Sequence, residues 1–382
     1  MRQRRIILLS LVLLFSFAFA RDWPTLQFLN FWPSARAAGL AGCFTSIADD
    51  AYTVYYNPAG LPFLRKQMVA STYNPTLVGL WSDDMYYANL SFSSPIKKNQ
   101  GLGVFINYFT NGFGDAYDSS GPSLYYLCPW SRNYTFVITG AYGRQIGKSL
   151  SVGGAVKLIY YLGYYTGYGV LPTYISLGSG TCFAVDFAFL YMPISKLNVG
   201  FTIQNLGTKT HSPDYFWIEN AQASLPRLSR LGIKYGPITK SKTKTLITAE
   251  LTKNLVGMFY DPYNTQTFFQ ELKYELKNIY RGIGLEFSAY DLVHLRLGYY
   301  EDNSFWNGGG LEILACACGD TKRVSVLDYL FNSYYRGKKI LSIGWTYGIG
   351  ITYKNASIDI GTDQYIYDFP TSNWKFTLSY QF

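Results

Sequence analysis

Charged residues and long apolar runs are both scarce in this sequence. Lys, Arg, Asp and Glu make up 15% of the 382 residues, against about 25% in ordinary soluble domains. After residue 20 the chain has no uninterrupted apolar stretch of 18 residues, whereas a helix that crosses a bilayer needs about 20. The sequence therefore excludes membrane-spanning helices and differs in composition from an ordinary soluble domain.

Cysteine is also scarce. The five cysteines are too few and too scattered for a disulfide framework; they are Cys43, Cys128, Cys182, Cys316 and Cys318. The close pair Cys316 and Cys318 has no histidine or second cysteine pair nearby, so no metal site is predicted there. This pair forms either a strained local disulfide or two free thiols.

Only two histidines occur, and neither indicates catalysis. His294 lies in a segment that alternates like a strand, and His211 lies in a longer connection near Asp214. Neither has a serine at a recognisable catalytic spacing, which a nucleophilic mechanism of this kind needs. The sequence therefore predicts no enzyme, no catalytic residue and no cofactor.

The first twenty residues have the pattern of an export signal. Three arginines at positions 2, 4 and 5 precede an apolar run over residues 6–19, and Ala-Phe-Ala at 18–20 forms a small-residue cleavage site. This pattern predicts a secretory signal peptide over residues 1–20, because the apolar run is too short to span a bilayer. The net charge of +9 is not gathered into a basic patch with base-stacking aromatics, so nucleic acid is not an expected partner.

Aromatic residues, in contrast, are abundant. The chain has 36 tyrosines, 26 phenylalanines and 8 tryptophans, together 18% of its residues, and 36 glycines. High aromatic and glycine content, low charge and no long apolar run are typical of an all-β protein of one class, the transmembrane antiparallel β-barrel.

Apolar and polar residues alternate with a period of two in one segment after another. Phe183, Val185 and Phe187 alternate with small or polar residues, and Trp374 and Phe376 do so in the last segment. Because successive side chains of a strand point to opposite faces, each segment has one apolar face and one polar or glycine face. We predict about fourteen strands, over residues 67–74, 84–94, 101–110, 133–146, 149–162, 179–192, 195–205, 226–236, 244–254, 279–289, 292–300, 342–353, 355–362 and 373–382.

The connections between these segments alternate between tight turns and long loops. The long ones fall at residues 111–132, 163–178, 206–225, 255–278 and 301–341. An even strand count with short turns at one end and long loops at the other is the arrangement of bacterial outer-membrane barrels. The sequence thus predicts an outer-membrane protein of a diderm bacterium, with lipid around it and both chain termini in the periplasm.

Residues 36–61 differ from the strand segments in being small and polar. Alanines and glycines, among them Gly39 and Gly42, allow close approach of backbone to backbone. Asn57 can cap a turn that begins at Pro58. We therefore predict three parts: the signal peptide, a plug over residues 21–65 that lies in the mouth or lumen of a barrel, and the barrel itself over residues 66–382.

The plug carries an ordered three-part motif: Arg-Ala-Ala-Gly-Leu-Ala-Gly at 36–42, Ala-Asp-Asp-Ala at 48–51, and Tyr-Asn-Pro-Ala-Gly-Leu at 56–61. This motif resembles the N-terminal signature of PorV/PorQ-type outer-membrane proteins, relatives of the FadL-type long-chain fatty acid transporters. The resemblance covers about residues 35–61 and the terminal strand, and Cys43 departs from it where a small residue is usual. It implies a fourteen-stranded barrel with an N-terminal hatch; the hatch residues are Arg36, Gly39, Gly42, Asp49, Asp50, Asn57, Pro58, Ala59 and Gly60.

Two further expectations follow from the resemblance. Phe382, the C-terminal aromatic residue, is similar to the signal read by the barrel-assembly machinery. The Asn-Pro-Ala-Gly step at 57–60 would belong to the hatch. Its alternative interpretation is a plain capped turn that leads the chain into the first strand.

The alternation also places charged side chains on the inward faces of the strands. These lumen residues are Lys157, Asp186, Arg230, Lys234, Glu250, Glu286, His294, Arg296, Asp359 and Lys375. Both signs are present, and pairing would lower the cost of enclosing charge, so we favour structural pairs over substrate contacts. Asp49 and Asp50 are expected to anchor the plug to the lumen cations.

Three functions are compatible with such a barrel. The first, implied by the resemblance, is passage of hydrophobic or amphipathic small molecules captured by aromatic loop residues at 125–126, 164–165, 215–217 and 268–269. The same aromatic residues are equally explained as an outer girdle that dips into the lipid headgroups. The second is an accessory barrel of the type IX secretion system that docks protein cargo on its extracellular loops, with residues 301–341 as the projecting segment. The third is a structural or adhesive surface protein whose plug stays closed.

Overall fold

The structure is a computed structural model of the full chain. It describes residues 26–75, 86–110, 131–167, 173–211, 222–238, 242–259, 267–301, 311–314, 321–324, 340–342, 344–363 and 373–382. The predicted signal peptide and the pair Cys316 and Cys318 lie outside these residues. Among the described residues no helix is both long and apolar enough to cross a bilayer.

Fourteen antiparallel strands close into one barrel. They are β1 (Met68–Pro75), β2 (Tyr86–Lys97), β3 (Gln100–Thr110), β4 (Ser131–Gln145), β5 (Leu150–Gly167), β6 (Thr173–Ile194), β7 (Leu197–Gly207), β10 (Leu228–Tyr235), β11 (Thr243–Asn254), β12 (Tyr280–Ala289), β13 (Val293–Glu301), β17 (Trp345–Tyr353), β18 (Ala356–Asp363) and β19 (Asn373–Gln381). Each pairs with its neighbours in chain order, and β1 pairs with β19 to complete the circle. The predicted fold class and strand number are confirmed.

Five shorter strands lie outside the barrel wall. β8 (Thr210–His211) pairs with β9 (Gln222–Ala223), and a separate three-stranded sheet has β14 (Leu311–Leu314) between β15 (Thr321–Val324) and β16 (Ile340–Ser342). The segment predicted to be a long loop over 301–341 therefore contains a small sheet. The sequence analysis missed it because its strands are only three or four residues long.

The hairpin of β5 and β6 is longer than predicted. The sequence analysis placed a loop over 163–178, whereas β5 continues to Gly167 and β6 begins at Thr173. The reason is that Tyr164 and Tyr165 pair across to β6, as aromatic residues favour in strands. The aromatic step at 164–165 thus belongs to a strand; the steps at 125–126 and 215–217 lie outside the described residues.

The two faces of the wall differ as the alternation predicts. The apolar residues point outward: Phe183 is 56% exposed, Phe376 45% and Leu378 59%. Their sequence neighbours point into the lumen, where Cys182, Ala184 and Thr377 are buried. An apolar exterior around a polar interior is the reverse of a soluble protein and is characteristic of a barrel that lipid surrounds.

The plug fills the lumen. From residue 26 it forms a 3-10 turn (Gln27–Asn30), a single helical turn α1 (Ala35–Ala38), a second one α2 (Thr53–Tyr56) and another 3-10 turn (Pro58–Phe63). The side chain of Ser34 accepts the backbone N–H of Ala37 and so begins α1. Almost every plug residue from 28 to 61 is buried, although little of it is regular structure.

Glycines on the inner face let the plug approach the wall closely. A Cβ at Gly101 would lie 2.5 Å from the carbonyl oxygen of Leu61, and one at Gly153 would lie 2.4 Å from the backbone nitrogen of Ala59. Gly143 faces the carbonyl oxygen of Pro58 in the same way, at 2.2 Å. These positions on β3, β4 and β5 form a strip where only hydrogen leaves room for the plug.

We predict that Gly143→Ala destabilises the protein by about 1–3 kcal/mol, the usual cost of overpacking. The denaturant midpoint of the folded barrel in detergent measures this effect. Gly140→Ala is the matched control, because it lies on the same strand and a Cβ there meets nothing within 4 Å. Equal midpoints for the two variants would contradict the close seating of the plug.

Candidate functional site

The backbone of the plug is hydrogen-bonded partly within its own turns and partly by side chains of the wall. The N–H of Ala35 donates to Thr377 at 3.0 Å, and the N–H of Thr45 donates to Glu250 at 2.9 Å. In the other direction, Gln204 donates to the carbonyl of Tyr55 at 2.7 Å. The remaining wall partners donate to plug carbonyls or accept a plug N–H; they are Asn89, Ser91, Ser93, Asn198, Thr248, Tyr280, Thr346 and Lys375.

Asn57 acts both as a cap and as a link to the wall. Its side-chain oxygen accepts the N–H of Ala59 at 3.1 Å and begins the turn at Pro58. Its side-chain nitrogen donates to the carbonyl of Thr45 at 2.7 Å and to that of Phe189 on β6 at 3.0 Å. The two interpretations of the Asn-Pro-Ala-Gly step are therefore not exclusive, since the capped turn is itself bonded to the lumen wall.

Three glycines of the motif lie at points of close contact. Gly42 has a φ of +69°, and a Cβ there would meet the indole of Trp32. Gly60 packs on the methyl group of Ala48. A Cβ added at Gly39 would lie 3.0 Å from the Cα of Gly348 on β17. The small residues of the motif thus serve packing inside the plug and against the wall.

A chain of ion pairs crosses from the plug to the wall. Arg36 makes a two-pronged contact with Glu286 of β12, with both N–O distances at 2.9 Å. Glu286 also accepts from Arg296 of β13 at 2.7 Å, and Arg296 bonds Asp359 of β18 at 2.6 Å. Arg36 is thereby tied to three neighbouring parts of the barrel wall.

The expected partners of Asp49 and Asp50 were wrong. Both carboxylates bind Arg36 of the plug itself, at 2.6 and 3.3 Å, rather than a lumen cation. The reason is that Arg36 lies in α1 and reaches the loop at 49–50, while Arg296 of the wall is already held by Glu286 and Asp359. The two aspartates therefore orient the arginine that contacts the wall.

Burial raises the pKa of the Asp50 carboxyl to about 6, against the opposing attraction of Arg36. In the folded protein Asp50 consequently keeps its proton at a pH where an exposed carboxyl of the unfolded chain, with a pKa near 3.8, has lost it. A group with a raised acid pKa binds more protons in the folded state than in the unfolded state. Its contribution to the free energy of unfolding therefore falls as the pH rises from about 4 to about 6.

The other lumen charges form separate pairs. Lys157 lies 2.8 Å from Asp186, and Arg230 lies 3.4 Å from Glu250. Lys375 donates to the carbonyl of Trp32 in the plug at 2.7 Å. Apart from Lys234, each of the predicted lumen charges thus has a hydrogen-bond partner in the plug or the wall.

Lys157 and Asp186 also stabilise an irregularity in the wall. The register between β6 and β7 shifts at Asp186, where Asn205 has a φ of +61°. Asp186 accepts the N–H of Asn205 at 2.8 Å, and Lys157 donates to the side-chain oxygen of Asn205 at 2.6 Å. Because of this bulge both Gln204 and Asn205 face inward, and Gln204 reaches the plug.

A polar cavity of about 440 Å³ opens beside the ion pairs of Arg36, Glu286 and Arg296, at the short-turn end of the barrel. Arg36, Asp50 and Lys234 line it, together with turn residues such as Lys196. His294 also lines it, with its two ring nitrogens 2.8 Å from the hydroxyl of Ser288 and 3.0 Å from that of Thr352. The cavity is charged, so it does not suit a hydrophobic ligand.

The contact between Ser288 and His294 was missed in the sequence analysis. The sequence feature that indicates this contact is the tight turn at 290–292, because it places residues 288 and 294 directly opposite each other in the hairpin. No carboxylate bonds the other ring nitrogen, which faces Thr352, so the third member of a catalytic triad is not in place. Among the described residues, no three His, Cys, Asp or Glu side chains converge to hold a metal ion.

An apolar chamber lies at the opposite, long-loop half of the lumen, and the plug occupies it. Phe28, Leu29 and Phe31 are 3%, 3% and 7% exposed. They pack among inward-facing wall residues, namely Tyr87, Phe109, Val137, Ile159, Tyr161, Cys182 and Ala184, and against Leu225 of the segment before β10. Phe28 stacks on Phe109 with parallel rings 5.0 Å apart. Toward the long loops this apolar cluster thus fills the lumen; toward the short turns the lumen holds the charged groups around Arg36 beside a second apolar cluster, which includes Phe44, Leu61 and Met68.

The fold is similar to that of several solved outer-membrane transporters. A FadL homologue from Pseudomonas aeruginosa aligns with a TM-score of 0.51 at 12% identity, over 95% of this chain and 99% of the other. The toluene transporter TodX of Pseudomonas putida gives 0.53 at 10%, over 95% and 99%. The monoaromatic hydrocarbon channel CymD gives 0.50 at 12%, over 94% and 98%. No family model matches the sequence, and no curated protein is similar to it in sequence.

Arg36→Ala is expected to destabilise the folded protein by about 3 kcal/mol, because it leaves the buried Glu286 without one of its two arginines. Chemical denaturation in detergent gives the value. The control is Lys244→Ala, which breaks the exposed pair with Asp291 and should cost less than about 1 kcal/mol. A loss as small for Arg36 as for Lys244 would show that the ion-pair chain does not hold the plug.

Asp50→Asn should remove part of the pH dependence of stability between about pH 4 and pH 6, because the variant has no carboxyl with a raised pKa at this position. The measurement is the denaturant midpoint as a function of pH. Asp291→Asn, at an exposed turn, is the control and should keep the wild-type slope. The idea fails if the Asp50 variant and the wild type have the same slope.

Proposed function

We propose that the protein is an outer-membrane barrel for the passage of hydrophobic small molecules. The observation that carries the proposal is the apolar chamber in the long-loop half of the lumen. A water-filled pore would present polar side chains there, whereas this chamber is lined by aromatic and aliphatic residues. The fold similarity to hydrocarbon transporters is compatible with this function.

In the structure the plug takes the place that a ligand would take. Phe28, Leu29 and Phe31 supply two aromatic rings and one aliphatic side chain to the chamber. A hydrophobic molecule of similar size can replace these contacts once the segment before α1 moves aside. The plug would thus prevent leakage of water and ions while an apolar ligand competes for the chamber.

The secretion alternative has less support in the described residues. Docking of a protein cargo needs a projecting outer surface, and the segment predicted for it, 301–341, contains only the small sheet of β14, β15 and β16 among its described residues. The resemblance of the plug motif to the PorV/PorQ type is compatible with either function, because the same closed barrel serves both. We favour passage because the chamber is a specific feature of the lumen and the docking surface is not.

We expect Phe28→Ala to increase the entry of a hydrophobic probe into cells that make the protein, because the smaller side chain leaves part of the chamber open. Entry is measured by the fluorescence rise of N-phenyl-1-naphthylamine, which the outer leaflet normally retards. Phe183→Ala is the matched control: it removes a ring from the outward face of β6 and should leave entry at the wild-type rate.

A polar probe separates passage from leakage. Hydrolysis of nitrocefin by a periplasmic β-lactamase should not rise with Phe28→Ala, but it should rise when residues 35–61 are deleted, since the deletion removes most of the segment that fills the lumen. If wild type, Phe28→Ala and cells without the protein admit the hydrophobic probe at one rate, the proposed passage is wrong.

A further inference from the structure

An amphipathic helix lies on the outside of the barrel between β11 and β12. The helix α3 (Phe268–Lys277) begins with a capping box, in which Thr267 and Gln270 bond each other's backbone. Its ten residues span about 15 Å. This region was predicted to be part of a loop over 255–278, in which Phe268 and Phe269 either capture a ligand or dip into the lipid headgroups.

Two cations on the outward face of the wall hold the helix there. Lys253 of β11 follows the outward-facing Leu251 by two residues, and its ammonium group lies 2.5 Å from the carboxylate of Glu275. Lys253 also donates to the carbonyl of Glu275 at 3.1 Å. Arg281 of β12, which shares the outward face with Ile283, donates to the carbonyl of Leu276 at 3.3 Å. The helix therefore packs against the exterior of the barrel and not over the lumen.

An apolar stripe runs along α3 beside the face that carries Glu275. Helical spacing places Phe268, Phe269, Leu272 and Leu276 within about 100° of one another. Phe268 is 62% exposed, Phe269 79% and Leu276 53%. Phe259, just after β11, stacks on Phe268 with ring centroids 6.1 Å apart and extends the stripe. Lys273, which is also exposed, borders it.

The helix lies at the level where the apolar exterior ends. Arg281, which contacts the helix, lies opposite Glu301 in the strand register, and Glu301 is two residues beyond Tyr299. The ring of Tyr299 packs on that of Trp345 with centroids 5.1 Å apart. Aromatic residues of this kind mark the boundary between the acyl chains and the headgroups. On the far side of the barrel the same boundary is formed by the ring contacts among Tyr73, Tyr86, Tyr108 and Tyr134.

We propose that α3 is an interfacial helix whose apolar stripe inserts into the outer leaflet at the headgroup boundary. A helix with an apolar stripe bordered by lysine, lying along a membrane surface, binds lipid in this way. The stripe continues the lipid-facing surface of β11 and β12, which is why lipid is the occupant and not a protein partner. The inference rests on the proposed membrane location of the barrel.

Spin labelling tests this inference in the full-length protein, reconstituted in vesicles of phosphatidylethanolamine and phosphatidylglycerol. A nitroxide is placed by Phe269→Cys on the stripe, by Gln270→Cys on the polar side of the helix, or by Leu251→Cys on the lipid-facing wall. Cys128, Cys316 and Cys318 are changed to serine, and signal from the buried Cys43 and Cys182 is subtracted using the protein without an added cysteine. Heat-modifiable electrophoretic mobility shows that each variant is folded.

The ratio of collisions with oxygen to collisions with a water-soluble nickel chelate should be severalfold higher at position 269 than at 270. It should approach the ratio at 251. A water-like ratio at 269 beside a lipid-like ratio at 251 would overturn the interfacial helix while leaving the barrel in the membrane. Water-like ratios at both positions would overturn the membrane location itself. Dipolar broadening between labels at 269 would show a second copy of the chain on the stripe and would also overturn the inference.

Discussion

A closed barrel that contains an irregular segment must supply hydrogen bonds to that segment's backbone. Every buried N–H and C=O needs a partner, and the short turns of the plug satisfy only part of its backbone. The inward faces of β2, β7, β11, β12, β17 and β19 meet this need with polar side chains, as in the contacts of Ala35 with Thr377 and of Tyr55 with Gln204. The inward-facing polar side chains of the strands therefore match the hydrogen-bonding groups of the plug backbone.

Different strands contact the plug through different kinds of residue. Where β3, β4 and β5 face the turn at 58–63, the wall has glycines at 101, 143 and 153, and the backbones come into direct contact. Where β12, β13 and β18 face Arg36, the wall has Glu286, Arg296 and Asp359 and contributes charge. Gly284, Gly298 and Gly361 on these strands also lie against the plug backbone, so one side of the barrel fits the plug by shape and the other by shape and charge together, which fixes its rotation within the lumen.

Much of the fold could be predicted because the strand period is local. The outward position of Phe376 and the inward position of Lys157 follow from alternation alone, once the strand is recognised. The partners of Asp49 and Asp50 could not be found in this way, since the position of Arg36 depends on how α1 sits in the lumen. The bulge at Asn205 likewise depends on Lys157 and Asp186, which are distant in sequence, and the spacing of the apolar residues in α3 is not revealed by a search for two-residue alternation.

The distribution of contacts also indicates how the lumen could open. Withdrawal of the whole plug would break eleven hydrogen bonds between its backbone and wall side chains. At about 1 kcal/mol each, together with the ion pairs of Arg36, this cost is comparable to the whole stability of a typical protein, about 5–15 kcal/mol.

Displacement of residues 28–31 costs less, because the eleven wall hydrogen bonds counted above all lie at Trp32 or beyond. Phe28, Leu29 and Phe31 would each lose about 1.5–3 kcal/mol of burial. A hydrophobic ligand that enters the chamber covers the same wall residues, from Tyr87 to Ala184, and so offsets much of that loss. An ion or a water molecule offers no such replacement. The selectivity of the proposed passage would then come from exchange of one apolar occupant for another, with α1 and all that follows it in the plug held in place by the wall.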